Sequence, residues 1–404
     1  MIEYSPKHLV MVTAGANHNK YYDMIPEGEM WTAEYGRIGS GSQSRRYNKR
    51  QFEAKYREKI KKGYVDQTEL IRDLIAEKPK EKSGYKEIDN PNIANIVRRL
   101  QEMAHAAIEA NYTISSNKVT QSMVDEAQEI INGLISIQTV SEFNQELTRL
   151  FTTIPRRMGS VSNHIAKSAD EFGKIIHREQ ELLDVMAGQV VEKKIFVDND
   201  DGGETKSEHT ILETLGLEFE ECDSDDIATI KVALGSCSDM LYRAWRVKNL
   251  KTQERFEKYV KENDIKDIRL LFHGSRNENW WSIIQNGLLL RPTNAIINGK
   301  MFGYGIYYAP KARKSLGYTS ISGSYWARGK SNSGFMALMN VAYGKSYNVY
   351  SFDGKFYRLN YSELQKLCPG ANCLHAHAGS MLRNDEIIVY KEEQCTIKYL
   401  VELR

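Results

Sequence analysis

Hydrophobic positions fall into three successive regimes along the chain, and each predicts a different kind of structure. In residues 1 to about 80, short apolar runs alternate with turn signals. Residues 8–13 read as a strand, Asn17-His18-Asn19-Lys20 as a turn, and 30–35 as a second strand closed by Gly36, Gly39 and Gly41. Phe52, Tyr56 and Ile60 recur at i, i+4 and i+8, which predicts a helix over 51–62. From about 91 to 192 the period is helical throughout. The stripes are Ile93, Ile96, Val97, Leu100, Met103 and Ala107; Met123, Ala127, Ile130, Ile131, Leu134 and Ile137; Phe143, Leu147, Leu150 and Phe151; and Ile175, Ile176, Leu182, Leu183 and Met186. Four such stripes separated by short polar gaps predict a helical bundle. From about 210 the period shortens to two. Leu215, Leu217 and Phe219 alternate with Gly216, Glu218 and Glu220, and further strands are predicted at 267–272, 305–309, 340–343, 386–390 and 396–402. Helices are expected there only at 254–261, 279–286 and 315–319. The fold class is therefore an α+β multidomain protein: a small mixed β/α domain over 1–80, an all-α bundle over 86–195 and a mostly-β domain over 210–404.

Composition changes this picture in a few places. The 404 residues suffice for two or three cores, and 55 basic against 53 acidic side chains leave a net charge of +2 that points to no partner. Locally the balance breaks. Residues 45–62 hold nine basic side chains against Glu53 and Glu58, a pattern that fits either phosphate contacts or a solvated helix face. Residues 198–226 hold twelve acidic groups and one Lys, and 198–208 with Gly202-Gly203 reads as a flexible linker; 81–90 reads as a second, charged one. Five cysteines are an odd, sparse set that fits a reducing compartment better than disulfide stapling. No apolar run reaches the roughly 18 residues of a membrane span, and the first residues lack a signal-peptide pattern, so neither membrane insertion nor secretion is expected.

The C-terminal third concentrates the candidate chemistry. A predicted strand ends in Leu270-Leu271-Phe272-His273-Gly274-Ser275-Arg276. Met301-Phe302-Gly303-Tyr304-Gly305-Ile306-Tyr307-Tyr308-Ala309 follows, then Lys314-Ser315 and Tyr318, and finally Asn384-Asp385-Glu386-Ile387-Ile388-Val389-Tyr390. Each piece alone has an ordinary explanation: turn glycines, a core tyrosine, a solvated glutamate at a strand start. The ordered set is specific, and it resembles the catalytic domain of the poly(ADP-ribose) polymerase family. The segment around 31–39 resembles that family's WGR domain, with Tyr35-Gly36-Arg37 in place of Trp-Gly-Arg. Leu150-Phe151-Thr152-Thr153-Ile154-Pro155 resembles a stretch of its regulatory helical domain.

The resemblance implies an NAD+ ADP-ribosyltransferase, with NAD+ as substrate and no metal expected. Its His-Tyr-Glu signature falls on His273, Tyr307 and Glu386. By the resemblance, His273 orients the adenosine ribose, the Gly274 backbone clamps the nicotinamide carboxamide, and Ser315 makes a third contact to that amide. Ser275 belongs to the same NAD-binding stretch. Tyr318 and Tyr307 form the two walls around the ring, Glu386 bonds the nicotinamide ribose 2′-OH, and Lys314 supplies a charge beside Glu386. Retention of Glu386 makes chain elongation possible. The resemblance also implies DNA-damage-dependent activation and a role in DNA repair. DNA strand ends would be bound through Tyr35, Arg37, Arg45, Arg46, Lys49 and Arg50, the helical domain would block NAD+ in the resting state, and the acceptors would be proteins, the chain itself included. Location would be nuclear in a eukaryote and cytoplasmic otherwise. Two departures stand out. Lys300 replaces a family tyrosine in the donor loop 288–300, and Cys368, Cys373, His375 and His377 make a C-x4-C-x-H-x-H string that is either a set of zinc ligands or ordinary loop residues. The rival reading is a DNA-end adaptor with weak or mono-ADP-ribosyltransferase activity.

Overall fold

The computed structural model describes residues 2–71, 85–112, 119–198, 208–290, 301–321, 331–379 and 382–404, with side chains left aside for Ile71 and 191–198. It forms two compact units, one of Met1–Lys82 and Ala106–Lys194, the other of Ser83–His105 and Ile195–Arg404.

In the first unit, β1 (Lys7–Thr13), β2 (His18–Glu27), β3 (Met30–Arg37), β4 (Gln43–Asn48) and β5 (Val65–Asp66) form a sheet of order β4-β3-β2-β1-β5. Strand alternation puts Trp31 and Ala33 of β3 on one face, where they join Leu9, Tyr22, Met24 and Phe52 in a core. Phe52 opens helix α1 (Phe52–Lys61), one residue inside the predicted start, because a short 3-10 turn capped by Asn48 precedes it. The helical stripes resolve into α2 (Pro91–Asn111), α3 (Gln121–Leu134), α4 (Val140–Thr153) and α5 (Phe172–Asp198). Thr120 and Thr139 cap α3 and α4 by accepting from the backbone N–H of Met123 and Glu142, and α4 ends at Ile154-Pro155 where the proline stops the ladder. Phe143 of α4 stacks on Phe172 of α5 at 3.9 Å. Helix α2 belongs to the second unit through His105 and to the first beyond it.

The second unit carries two sheets. The first has order β6-β7-β14-β10-β8, from β6 (Leu217–Glu221), β7 (Leu241–Asn249), β8 (Ile268–Gly274), β10 (Gly334–Ala342) and β14 (Cys395–Leu403). The second has order β11-β12-β13-β9, from β9 (Ile306–Tyr308), β11 (Ser346–Val349), β12 (Cys373–Ala376) and β13 (Glu386–Val389). All pairs are antiparallel except β11 with β12. A bridge between Phe272 and Ala309 joins β8 to the end of β9, and so one sheet to the other. Among the short helices are α6 (Ile211–Leu215), α7 (Ser224–Leu234), α8 (Leu250–Glu262), α9 (Trp280–Asn286), α10 (Ala312–Leu316) and α11 (Tyr361–Leu367). Helix α7 begins at the end of the acidic stretch. Asp223 caps it, and Asp225 and Asp226 in its first turn sit where the helix dipole favours negative charge. The predicted helix at 315–319 runs over 312–316 instead, because Gly317 ends it. The predicted strand at 340–343 extends back to Gly334. Helix α2 docks on this unit through Arg99, whose guanidinium donates two hydrogen bonds to Glu402 of β14 at 2.9 and 3.1 Å. The five thiols are free, and no described helix is long and apolar enough to cross a membrane.

Candidate active site

The seam between the two sheets gathers the motif residues that the sequence scatters over more than a hundred positions. His273 is the penultimate residue of β8, and its Nδ1 lies 3.1 Å from the Tyr307 carbonyl of β9. Trp280, fully buried at the start of α9, and Tyr308 meet its ring edge-on at 6.5 and 6.0 Å. Tyr308 stands in the Met301–Ala309 string but was given no role there, and Trp280 lies outside every string. The Trp280-Trp281 pair closely following the His-Gly-Ser turn was the available signal.

Gly274 must be glycine for a packing reason. A Cβ there would lie 2.1 Å from the Ser315 carbonyl oxygen, so any side chain would push α10 off the strand. Ser315 is buried, and its hydroxyl donates to the Phe272 carbonyl at 3.2 Å. In this geometry the hydroxyl braces β8 from below. Gly303 has φ +75°, and a Cβ on it would meet the Leu359 backbone at 2.2 Å. That turn lets the Tyr307 hydroxyl donate to the Gly303 carbonyl and accept from the Phe302 N–H, at 3.1 and 3.0 Å. Burial pushes the Tyr307 hydroxyl well above the usual tyrosine pKa, so it stays a neutral wall. Tyr390, the last residue of the Glu386 string and given no role there, donates to the Phe302 carbonyl at 2.7 Å and holds the other end of the same turn.

Glu386 opens β13. Register places Tyr307 opposite Ile388, and Glu386 is two residues before Ile388, so both side chains share one face of the sheet. Glu386 is 9% exposed, and the Lys314 ammonium of α10 lies 2.5 Å from its Oε1. Burial alone would lower the Lys314 pKa. The charge and hydrogen bond of Glu386 outweigh it, and the net shift is upward. Tyr318, just beyond α10, is 47% exposed. Ser275 accepts a hydrogen bond from the Asn279 amide at 3.0 Å. The result is a carboxylate set against a full positive charge, a fixed imidazole and an aromatic wall around one edge. Such an edge can bind a polar sugar and stabilise positive charge developing on it. Lys300 and residues 291–299 of the donor loop lie outside the described residues, as do 199–207 of the expected linker.

On the first unit, the basic segment is more neutralised than its composition implies. Arg46, Lys49, Lys55, Arg57 and Lys62 pair with Glu27, Glu29, Glu58, Glu53 and Glu58. Glu27 and Glu29 come from β2 and the turn after it, which the local count could not include. Arg45 lies over the Tyr47 ring at 5.3 Å. Arg50 is exposed in the middle of the 3-10 turn. Tyr35 stacks on Tyr22 at 5.5 Å. Arg37 donates to the Asn17 carbonyl at 2.9 Å and to the Gly159 carbonyl at 3.0 Å, tying the sheet to the loop after α4. The cysteine–histidine string does not converge. Among the described residues, the metal-capable group is His375, His377 and Asp385, without Cys368 or Cys373.

Comparison with known proteins places this architecture. A profile for the poly(ADP-ribose) polymerase catalytic domain matches residues 224–404, and one for the WGR domain matches 6–71. A protein of Invertebrate iridescent virus 6, described as putative poly [ADP-ribose] polymerase-like 100L, is 34% identical over 168 residues, 40% of this chain and 85% of that one. Poly [ADP-ribose] polymerase 2 of Homo sapiens is 29% identical over 171 residues, 37% of this chain and 28% of that one. Poly [ADP-ribose] polymerase 1 of Oryza sativa subsp. japonica is 24% identical over 276 residues, 64% of this chain and 27% of that one. The chain is thus similar to nearly a whole viral protein and to about a quarter of each of the two larger enzymes. It belongs to the poly(ADP-ribose) polymerase family, as an NAD+ ADP-ribosyltransferase whose catalytic domain shares one chain with a WGR domain.

Proposed function

We propose that this enzyme is switched on by DNA strand breaks, and that it transfers ADP-ribose from NAD+ to protein acceptors, itself included, with repeated transfer building a polymer. The observation that carries the catalytic part is the Lys314–Glu386 pair at the seam, on the same sheet face as Tyr307 and beside the strand end bearing His273. His273 binds the adenosine ribose. The Gly274 backbone holds the nicotinamide carboxamide, with Ser315 beside it, and Tyr307 and Tyr318 enclose the ring. Glu386 accepts a hydrogen bond from the 2′-OH of the nicotinamide ribose. The C1′–N bond breaks, its electron pair leaves with nicotinamide, and positive charge spreads over C1′ and the ring oxygen. The nearby carboxylate stabilises that charge. The acceptor hydroxyl oxygen then bonds to C1′, and its proton passes toward Glu386.

The DNA part rests on Arg37. The sheet's Tyr35-Gly36-Arg37 corner is bonded to the loop after α4, so strain at the corner on DNA binding reaches the helices directly. The exposed Arg45 and Arg50 supply phosphate contacts. The helices hold NAD+ out until DNA biases them toward an open state. NAD+ consumption by the full chain, with and without a 5′-phosphorylated nicked duplex, tests this reading. The expected result is strong stimulation by DNA that Glu386→Gln abolishes, with a ladder of products on a gel. Equal turnover with and without DNA refutes the coupling. A single product band refutes elongation.

A further inference from the structure

The transferase site leaves one chemical cluster unused. At the far end of β12, His375 and His377 project from the same face, and Asp385 comes up to them from the residue just before Glu386. One ligand atom from each lies within 4.8 Å of the others. The Asp385 Oδ2 is hydrogen-bonded to His375 Nε2 at 3.1 Å, a contact an ion would replace, and lies 3.7 Å from His377 Nδ1. A tetrahedral ion with bonds of about 2.0–2.1 Å to nitrogen and oxygen has ligand–ligand edges of about 3.3 Å, which these two distances bracket.

The remaining polar atoms of the three side chains are already held. Tyr343 OH lies 2.8 Å from His375 Nδ1, the Asn348 Oδ1 lies 2.8 Å from His377 Nε2, and the Ala378 N–H donates to Asp385 Oδ1 at 2.8 Å. Metal-binding histidines and carboxylates are typically oriented by such outer contacts. The tautomer of His377 follows from them. Asn348 donates its amide to Ser346 Oγ at 3.2 Å, which leaves its oxygen facing His377. An amide oxygen only accepts, so His377 carries a proton on Nε2. That tautomer leaves Nδ1, 3.7 Å from the Asp385 carboxylate, as the ring nitrogen available to ligate. The rings of His375 and His377 stack at 4.0 Å, and Tyr350 stacks on the outer face of His377 at 4.5 Å, so the imidazoles are held in place. Arg269 is nearby over the Tyr343 ring, and its charge is met by Asp267 at 2.8 Å.

We propose that His375 Nε2, His377 Nδ1 and Asp385 Oδ2 bind one divalent transition-metal ion of the zinc type, with solvent completing the coordination. Two imidazoles and one carboxylate suit such an ion better than magnesium or calcium. Ala376 pairs with Glu386 in the ladder, so the ion straps β12 to β13 beside the rung that carries Glu386. Strand alternation puts the ligands on the opposite face from the Glu386 side chain. The ion is a clamp on the strand end, separate from the transfer reaction.

The test is titration of the metal-free full chain with Zn2+ in competition with a chromophoric chelator, with Co2+ absorption spectra in parallel. One Zn2+ per chain is expected. His377→Ala and Asp385→Asn should abolish binding, and Cys368→Ser should leave it unchanged. Asn348→Ala, which removes only the outer contact, should weaken it about 10- to 100-fold. Absence of stoichiometric binding by the wild type overturns the proposal, as does binding retained in both ligand variants. If those variants do not fold, the wild-type Co2+ spectrum decides. Ligand-field bands without sulfur-to-metal charge transfer are expected, and a strong sulfur charge-transfer band overturns the assignment.

Discussion

Substitution of Arg99 by Met tests the proposed gate most directly. Arg99 sits on the part of α2 that belongs to the transferase unit, and it grips Glu402 with two hydrogen bonds of 2.9 and 3.1 Å. Glu402 is fully buried on β14, whereas the Arg99 side chain is 29% exposed. Removing one partner of a buried ion pair costs about 3–5 kcal/mol, because the other charge is left without a match. Two features lower that here. The Arg404 guanidinium remains 3.6 Å from Glu402, and Arg99 is partly in water. About 2–3 kcal/mol is the reasonable expectation. If release of α2 opens the NAD+ site and lets Glu402 meet water, this energy favours the open state. At about 1.4 kcal/mol per tenfold, the open fraction rises by about 30- to 150-fold. The assay is nicotinamide release by the full chain without DNA at saturating NAD+, with thermal unfolding measured on the same protein. DNA-free turnover should rise strongly, and the remaining stimulation by DNA should shrink. Arg99→Lys, which keeps the charge and loses the two-pronged grip, should fall between. A Tm lowered by several degrees with DNA-free turnover unchanged would show that α2 holds the unit together without gating it.

Other expectations follow from the same geometry. Gly274→Ala forces a Cβ to 2.1 Å from the Ser315 carbonyl, so NAD+ turnover should be lost and the transferase unit destabilised by about 1–3 kcal/mol, read as a lower Tm with DNA affinity unchanged by fluorescence polarisation. Arg37→Ala should keep most DNA affinity but reduce DNA stimulation of NAD+ consumption, since it loses its bond to the Gly159 carbonyl; full stimulation would refute the coupling role. The Glu402 carboxyl is pulled up by burial, but Arg99 outweighs this and holds it below the usual value of 4.5. Its folded pKa is thus depressed, so its contribution to stability is present above about pH 4.5 and lost as pH falls below it. Acid unfolding of Arg99→Met, followed by circular dichroism, should lack much of that loss.

How far the sequence carried this protein depended on whether a feature was local. Helices α2 to α5 were legible because a 3.6-residue stripe is written within one segment, and every residue needed to see it lies within two turns of the next. The strand ends bearing His273, Tyr307 and Glu386 were legible for a related reason, as each sits in a short ordered string. Strand β7 escaped notice, since Tyr242, Arg243 and Arg246 lie on its exposed or half-exposed positions and mask the buried Trp245 and Val247. Helix α7 escaped notice too, because its first turn closes a run of acidic residues and only the Asp223 cap marks it as a helix start. What only the tertiary structure decided is pairing across distance. Register along β13 aligned Glu386 with Tyr307, and α10 brought Lys314 onto Glu386. Glu27 and Glu29 crossed the hairpin to neutralise part of the basic segment. The β12–β13 ladder joined His375 and His377 to Asp385 and left both cysteines of the string out of the cluster. A chain encodes its periodicity residue by residue, whereas register is a property of two strands at once. It is set by how each buries its apolar face against the other.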